Sequence, residues 1–396
     1  MSDFLFPIIE IFLGVVLLFA GGEFFIQGAI FLSLILGIPQ IVIGLTVVSL
    51  GTSSPELLVS LSSILKGSDS LAASNVIGSN IFNVLVVLGI SSLITPLKVK
   101  SRIVRRDVPL LMAISCAVWA MSSTGLLTLQ AGVFLIFCLI LNTIWEINTI
   151  NEKGEETKDA EPEIEELKDN YKGKMNILLK LILGIFLLSF GSNILVNGSQ
   201  TLATLLGVNE IVIGLTIVAT GTSLPELVTS IIAAFKGKTD LAIGNVIGSN
   251  LLNQLLILGS CSIFSGFKGL VIEQSLIKVD LPFMVLTTFA CLPIFWSKGK
   301  ITRIEGFILL NLYIFYILDK ILFLNEFNFL SELRIGLFIY FALLIVFLIV
   351  QENLKFSNSE FYPYIVTNSS EIVGCKAIVI SKSFFVIPAF NEIDTI

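Results

Sequence analysis

The sequence predicts an all-α membrane protein made of two five-helix halves of opposite orientation. Three observations predict it: an apolar composition, an internal repeat, and an odd number of spans in each copy of that repeat. Of the 396 residues, 55% are hydrophobic and 14% charged, with a mean hydropathy of +0.95, which is not the composition of a water-soluble globule. Runs of about 20 apolar residues, enough to cross a hydrocarbon core as a helix, recur nearly end to end, in contrast to the short alternating segments of a barrel. The net charge of −6 gathers in one acidic connector, and no basic, aromatic-rich stripe points to nucleic acid. The sequence has no histidine, which removes the commonest general base and transition-metal ligand but leaves hard-cation chemistry through oxygen. Cys116, Cys138, Cys261 and Cys291 lie in apolar spans without CxxC spacing and read as small buried hydrophobes.

The repeat is in one unbroken register. GLTVVSLGTSSPELLVSLSSILKG, from Gly44 to Gly67, returns as GLTIVATGTSLPELVTSIIAAFKG from Gly214 to Gly237. LAASNVIGSNIFNVLVVLG, from Leu71 to Gly89, returns as LAIGNVIGSNLLNQLLILG from Leu241 to Gly259. The first span, from about Phe4 to Leu36, carries Asp3 and Glu10 in place of a basic n-region and reads as a retained helix, not a cleaved signal. Its Gly21-Gly22-Glu23 matches Gly191-Ser192-Asn193 in the span Ile177 to Leu206. The small residues there read as notches for close helix approach, and Glu23 is set aside as an ion contact because Asn193 replaces it.

Gln40 to Leu65 and Ser70 to Thr95 carry the motifs of the first half, and spans near Val108 to Ser123 and Leu126 to Ile147 complete it. The basic connector Lys98 to Asp107 is expected to be cytoplasmic, with the N-terminus outside. Residues 1–150 thus form the first repeat, 151–174 an acidic cytoplasmic linker, and 175–324 a second repeat inverted by the odd span count. Residues 325–355 read as one appended transmembrane helix and 356–396 as a soluble tail. The last residues, FFVIPAFNEIDTI, resemble the opening strand and turn of family 2 glycosyltransferases for roughly a dozen residues, with no catalytic body behind them and no activity assigned.

In Gly51-Thr52-Ser53-Ser54-Pro55-Glu56 and Gly221-Thr222-Ser223-Leu224-Pro225-Glu226, glycine and proline interrupt an apolar span near its middle. Proline lacks the N–H that a helix interior needs but suits the first turn of a new helix, so each span is expected to be two half-helices joined by unwound backbone. Unwound backbone at membrane depth is tolerated only where it faces protein or a hydrated cavity. The break frees carbonyls near Ser49 and Ala219, hydroxyls of Thr52, Ser53, Thr222 and Ser223 add neutral oxygens, and Glu56 and Glu226 add charge. An unpaired acid at mid-bilayer costs roughly 2.5 to 3.5 kcal/mol, so a cation must offset it. Ser79 with Asn83, and Ser249 with Asn253, lie four apart on one helix face each and complete an all-oxygen set suited to Ca2+ or Na+. Asn75, Asn80, Asn245 and Asn250 serve equally as further ligands or as interhelical glue.

The paired GTSxPE and GNxxGSNxxN motifs resemble the α-repeats of the sodium/calcium exchanger family, within the calcium/cation antiporter superfamily, over residues 1 to about 324. The resemblance implies a ten-helix inverted-repeat exchanger fold and antiport of Na+ against Ca2+, with no enzymatic activity and no cofactor. It implies that Glu56 and Glu226 coordinate Ca2+. It also implies that Thr52, Ser53, Thr222, Ser223, Ser79, Ser249 and backbone at Ser49 and Ala219 share the Na+ sites. Ser74 departs from the usual glycine of the first GN motif, which Gly244 keeps. Asn253 stands where some relatives carry an aspartate associated with K+, which leaves both central amides, Asn83 and Asn253, neutral, so K+ independence is expected. The expected setting is a prokaryotic inner or plasma membrane. The rival functions are Ca2+/H+ exchange in the same fold, a passive cation channel, and an intramembrane hydrolase, whose catalytic acids would be aspartates.

Overall fold

The computed structural model describes residues 2–152, 171–207, 219–296 and 299–324, with Gly336. Most of the acidic linker, the appended helix and the tail expected from the sequence lie outside these residues. The first half comprises α1 (Ser2–Leu36), α2 (Gln40–Thr52), α3 (Ser54–Leu65), α4 (Asp69–Ile94), α5 (Val108–Ser122) and α6 (Leu129–Glu152). The second comprises α7 (Tyr171–Leu205), the short α8 (Ala219–Gly221), α9 (Leu224–Phe235), α10 (Thr239–Phe264), α11 (Leu276–Trp296) and α12 (Arg303–Leu324). Among the described residues six helices are long and apolar enough to cross a membrane, and seven when the bent pair α2 and α3 counts as one span. The chain is a multi-pass integral membrane protein.

Four two-residue strands show how the halves are oriented. β1 (Leu97–Lys98) follows α4 and β2 (Leu126–Leu127) follows α5; β3 (Leu270–Val271) follows α10 and β4 (Lys300–Ile301) follows α11. β1 pairs antiparallel with β4, Leu97 opposite Ile301, and β2 pairs with β3, Leu127 opposite Leu270. The connector after α4 therefore shares a face of the bundle with the connector after α11, not with its own repeat equivalent after α10. That arrangement holds only if the second half is inverted. Two ion pairs follow the same crossed pattern, Lys100 with Asp240 at 3.1 Å and Lys268 with Asp69 at 3.5 Å.

α4 and α10 form the buried centre, whereas α1, α6 and α7 turn most of their apolar surface outward, as lipid-facing helices do. α1 and α7 run antiparallel along a glycine seam. A Cβ on Gly14 would stand 2.6 Å from Leu195 Cβ, and one on Gly191 would stand 2.8 Å from Leu17 Cβ. Without side chains at these positions the two backbones close together.

Candidate ion-binding site

The motif helix of the first half bends where its sequence demands. Between α2 and α3 the direction changes by 44° across Ser53 alone, whose φ of −81° and ψ of 4° are nearly helical. Pro55 sits in the first turn of α3, where its missing N–H costs nothing. The expected stretch of unwound backbone is thus one residue. The Ser49 carbonyl, expected to be freed, accepts the Ser53 N–H at 2.9 Å. In the second copy the Ser223 N–H goes instead to the Thr220 carbonyl at 3.2 Å, a tighter turn that leaves Ala219 without the bond Ser49 receives. Both acids fall in the first turn of the following helix, where the macrodipole favours negative charge.

The structure brings the two motifs together across the halves. Ser53 donates to Glu226 Oε1 at 3.0 Å, and Ser223 donates to Glu56 Oε1 at 3.0 Å while sharing a 2.9 Å hydrogen bond with Ser79. Thr52 lies 3.0 Å from Asn245 Oδ1, and Thr222 lies 3.2 Å from Asn75 Oδ1. Glu56 and Glu226 are fully buried. No described lysine or arginine forms an ion pair with either.

What remains unpaired defines the chemistry. Glu56 Oε2, Glu226 Oε2, Asn83 Oδ1, Asn253 Oδ1 and Ser249 Oγ are buried oxygens with no hydrogen-bond partner among the described residues. Buried polar groups are almost always partnered, and five such oxygens from four helices call for a cation. The set is carboxylate, amide and hydroxyl, with no group of three or more His, Cys, Asp or Glu among the described residues. That is the donor chemistry of Na+ and Ca2+. Asn83 and Asn253 each open a π-helical turn, Asn83–Val87 and Asn253–Leu258, which widens the helix at the site. Asn83 also donates to Asn250 Oδ1 at 3.0 Å, whereas both polar atoms of Asn253 are unpaired, so the two halves differ here despite identical residues.

Asn75 and Asn245 act as struts. Asn75 donates to Ser60 at 3.1 Å, and Asn245 donates to Thr229 at 3.1 Å and Ser230 at 3.0 Å. Their oxygens hold the motif threonines, so both ends are spent on positioning. Ser60 and Ser230 went unnoticed in the sequence. Their signal was present, since they occupy equivalent positions of the repeat as identical polar residues in an apolar span.

A cavity of about 630 Å³ reaches Asn75 and Thr222 from one face, passing between Leu58 and Val59 of α3 and Ser189, Ser192 and Asn193 of α7. The equivalent approach in the other half is shut. There a Cβ on Gly248 would meet the Leu45 carbonyl at 2.5 Å and Ser49 Oγ at 2.6 Å, and one on Gly22 would meet Ile232 Cδ1 at 2.6 Å. Ser74 borders the cavity, which gives its side chain room; Gly244 lies against Gly44, where a Cβ would stand 3.0 Å from the Gly44 Cα.

Inverted halves, a buried oxygen cage at their interface and access from one face together define a membrane transporter of inverted-repeat architecture. The sodium/calcium exchanger protein family matches residues 6–147 and 176–322. Among curated proteins, the putative antiporter CaxA of Alkalimonas amylolytica is 36% identical over 323 residues, spanning 78% of this chain and 96% of that protein. The sodium/calcium exchanger MaX1 of Methanosarcina acetivorans is 32% identical over 339 residues, spanning 77% of this chain and 95% of that protein. The solved structure of the sodium-calcium exchanger NCX_Mj soaked with zero Na+ and Ca2+ superposes with a TM-score of 0.68 at 28% identity, over 80% of this chain and 99% of that one. The chain belongs to the sodium/calcium exchanger family.

Proposed function

We propose that the protein exchanges Na+ for Ca2+ across the membrane by alternating access, as a secondary active antiporter and not an enzyme. The observation that carries this reading is the pair of unpaired carboxylate oxygens, Glu56 Oε2 and Glu226 Oε2, one from each half. Two carboxylates balance one Ca2+. Glu56 and Glu226 hold it, with Asn83 and Asn253. Thr52, Ser53, Thr222, Ser223, Ser79, Ser249 and the Ser49 and Ala219 carbonyls share the Na+ positions. Because the two ions use overlapping oxygens they compete, and the cage must empty before it refills.

More than two Na+ per Ca2+ carries net charge, so membrane voltage biases the cycle. Neutral Asn83 and Asn253 make transport independent of K+. Alternating access comes from the α1 and α7 pair shifting against the core of motif helices, which opens one approach as it shuts the other. Placing the basic connector before α5 in the cytoplasm puts the N-terminus and the open cavity outside, in a prokaryotic inner or plasma membrane. Residues 151–174 then join repeats 1–150 and 175–324 on the cytoplasmic side, with an added span at 325–355 and a soluble tail at 356–396.

Flux of radiolabelled Ca2+ into proteoliposomes tests the reading. Uptake driven by an outward Na+ gradient and absent under a pH gradient alone is the expected result. Uptake driven by the pH gradient instead identifies Ca2+/H+ exchange, and uptake needing no counter-ion identifies a channel.

A further inference from the structure

Glu23 is an acid in the body of α1 that the cation cage does not use. Its Oε1 accepts from Lys236 Nζ at 2.6 Å and from Gln27 Nε2 at 2.6 Å, and Gln27 Oε1 in turn accepts from Lys180 Nζ of α7 at 2.9 Å. Lys236 directly follows the last residue of α9. The ion pair therefore ties the α1 and α7 pair to α9. Beside it the two helices are in close contact, since a Cβ on Gly22 would meet Ile232 Cδ1 at 2.6 Å and Val228 Cγ1 at 3.1 Å.

The repeat supplies an internal comparison. In its register, α1 against α9 corresponds to α7 against α3, Glu23 corresponds to Asn193, and Lys236 corresponds to Lys66. At that second position the cavity intervenes, with Asn193 on one wall and Leu58 and Val59 on the other. One interface is shut and carries an ion pair; its counterpart is open and carries an amide where the acid would be. Inverted-repeat transporters change facing state when their halves exchange conformations. In the opposite state α7 closes on α3, α1 leaves α9, and the Glu23–Lys236 pair is broken, while Asn193 has no charge to offer Lys66 in its place.

We propose that Glu23 and Lys236 form a one-sided latch, which biases the resting transporter toward the state whose cavity opens between α3 and α7. The latch rests on the alternating-access reading of the site. It also accounts for an acid tolerated in α1, because the pair offsets the cost of a lone carboxylate at membrane depth. A purely local role of that kind makes no claim about the second half, and the latch does.

The test reads the closed interface without measuring flux, so loss of exchange activity and loss of the latch are separate results. Val228 of α9 is buried against α1, and Val228→Cys in the reconstituted full-length protein becomes reactive to a charged thiol reagent only when that interface opens. The unsubstituted protein, with its native thiols, sets the background. Glu23→Gln and Lys236→Met should each raise the labelling rate about two- to fivefold, the population shift expected on loss of a partly exposed ion pair. Exchanging the two charges, Glu23→Lys with Lys236→Glu, should return the rate toward that of the unmodified pair. Asn193→Glu should also raise it, by creating the missing latch for the opposite state. Single variants that label at the unmodified rate, a charge exchange that labels as fast as the singles, or an Asn193→Glu variant without effect each overturns the proposal.

Discussion

Ser53 of the first half donates a 3.0 Å hydrogen bond to Glu226 of the second, and the inverted repeat returns the same bond from Ser223 to Glu56. Each acid is therefore oriented by the serine that precedes the other acid's proline. One oxygen of each carboxylate is held by that bond and the other has no hydrogen-bond partner among the described residues. Five predictions follow from this geometry and from the asymmetry around it.

Removing either charge should stop exchange. Glu56→Gln and Glu226→Gln are each expected to lower Ca2+ flux at least about a hundredfold, since a buried charge interaction is worth several kcal/mol. The double variant should be little worse than either single one, because the two acids act as a unit. Flux in proteoliposomes decides it, and strict additivity would contradict a shared site.

The orienting hydroxyls should matter through affinity. Hydrogen bonds to charged groups contribute about 1.5 to 3 kcal/mol, so Ser53→Ala should raise the Ca2+ concentration for half-maximal flux about tenfold. Ser223→Ala should cost more, because Ser223 also holds Ser79 at 2.9 Å. Equal effects would mean that Ser79 is not positioned through Ser223.

Gly248 of α10 packs directly on the backbone of α2. Gly248→Ala drives a methyl into the Leu45 carbonyl at 2.5 Å and should destabilise the detergent-solubilised protein by about 1 to 3 kcal/mol.

Withdrawal of K+ from both sides should leave Ca2+ flux within about twofold, as both central amides, Asn83 and Asn253, lack the charge that would bind it. A requirement for K+ would place another acid in the site.

Membrane voltage should shift exchange. Each net charge crossing the membrane is worth about 2.3 kcal/mol per 100 mV, so potentials imposed on proteoliposomes should speed Na+-driven Ca2+ uptake in one polarity and slow it in the other. Voltage-independent flux would fix the exchange at two Na+ per Ca2+.

Much of the site was legible because membrane burial makes polar residues conspicuous. An acid after a proline in an apolar span, twice in register, has few readings once the cost of a lone charge in hydrocarbon is counted. The halves' inversion was legible from span parity and basic connectors, and the crossed strand pairs Leu97 with Ile301 and Leu127 with Leu270 agree with it. The ion pair of Glu23 was not legible. Its partner Lys236 lies 213 residues away, and no local pattern links them.

By itself, then, the sequence determined the spans, the repeat, the inversion and the oxygen chemistry of the cage, because each depends on local composition or on comparing one copy with the other. Only the tertiary structure decided where identical residues differ among the described residues: Asn83 bonded and Asn253 unpaired, Ser53 N–H on the Ser49 carbonyl and Ser223 N–H on the Thr220 carbonyl. The physical reason is that a repeat encodes two equivalent halves, whereas a transporter caught in one facing state places those halves in unequal surroundings.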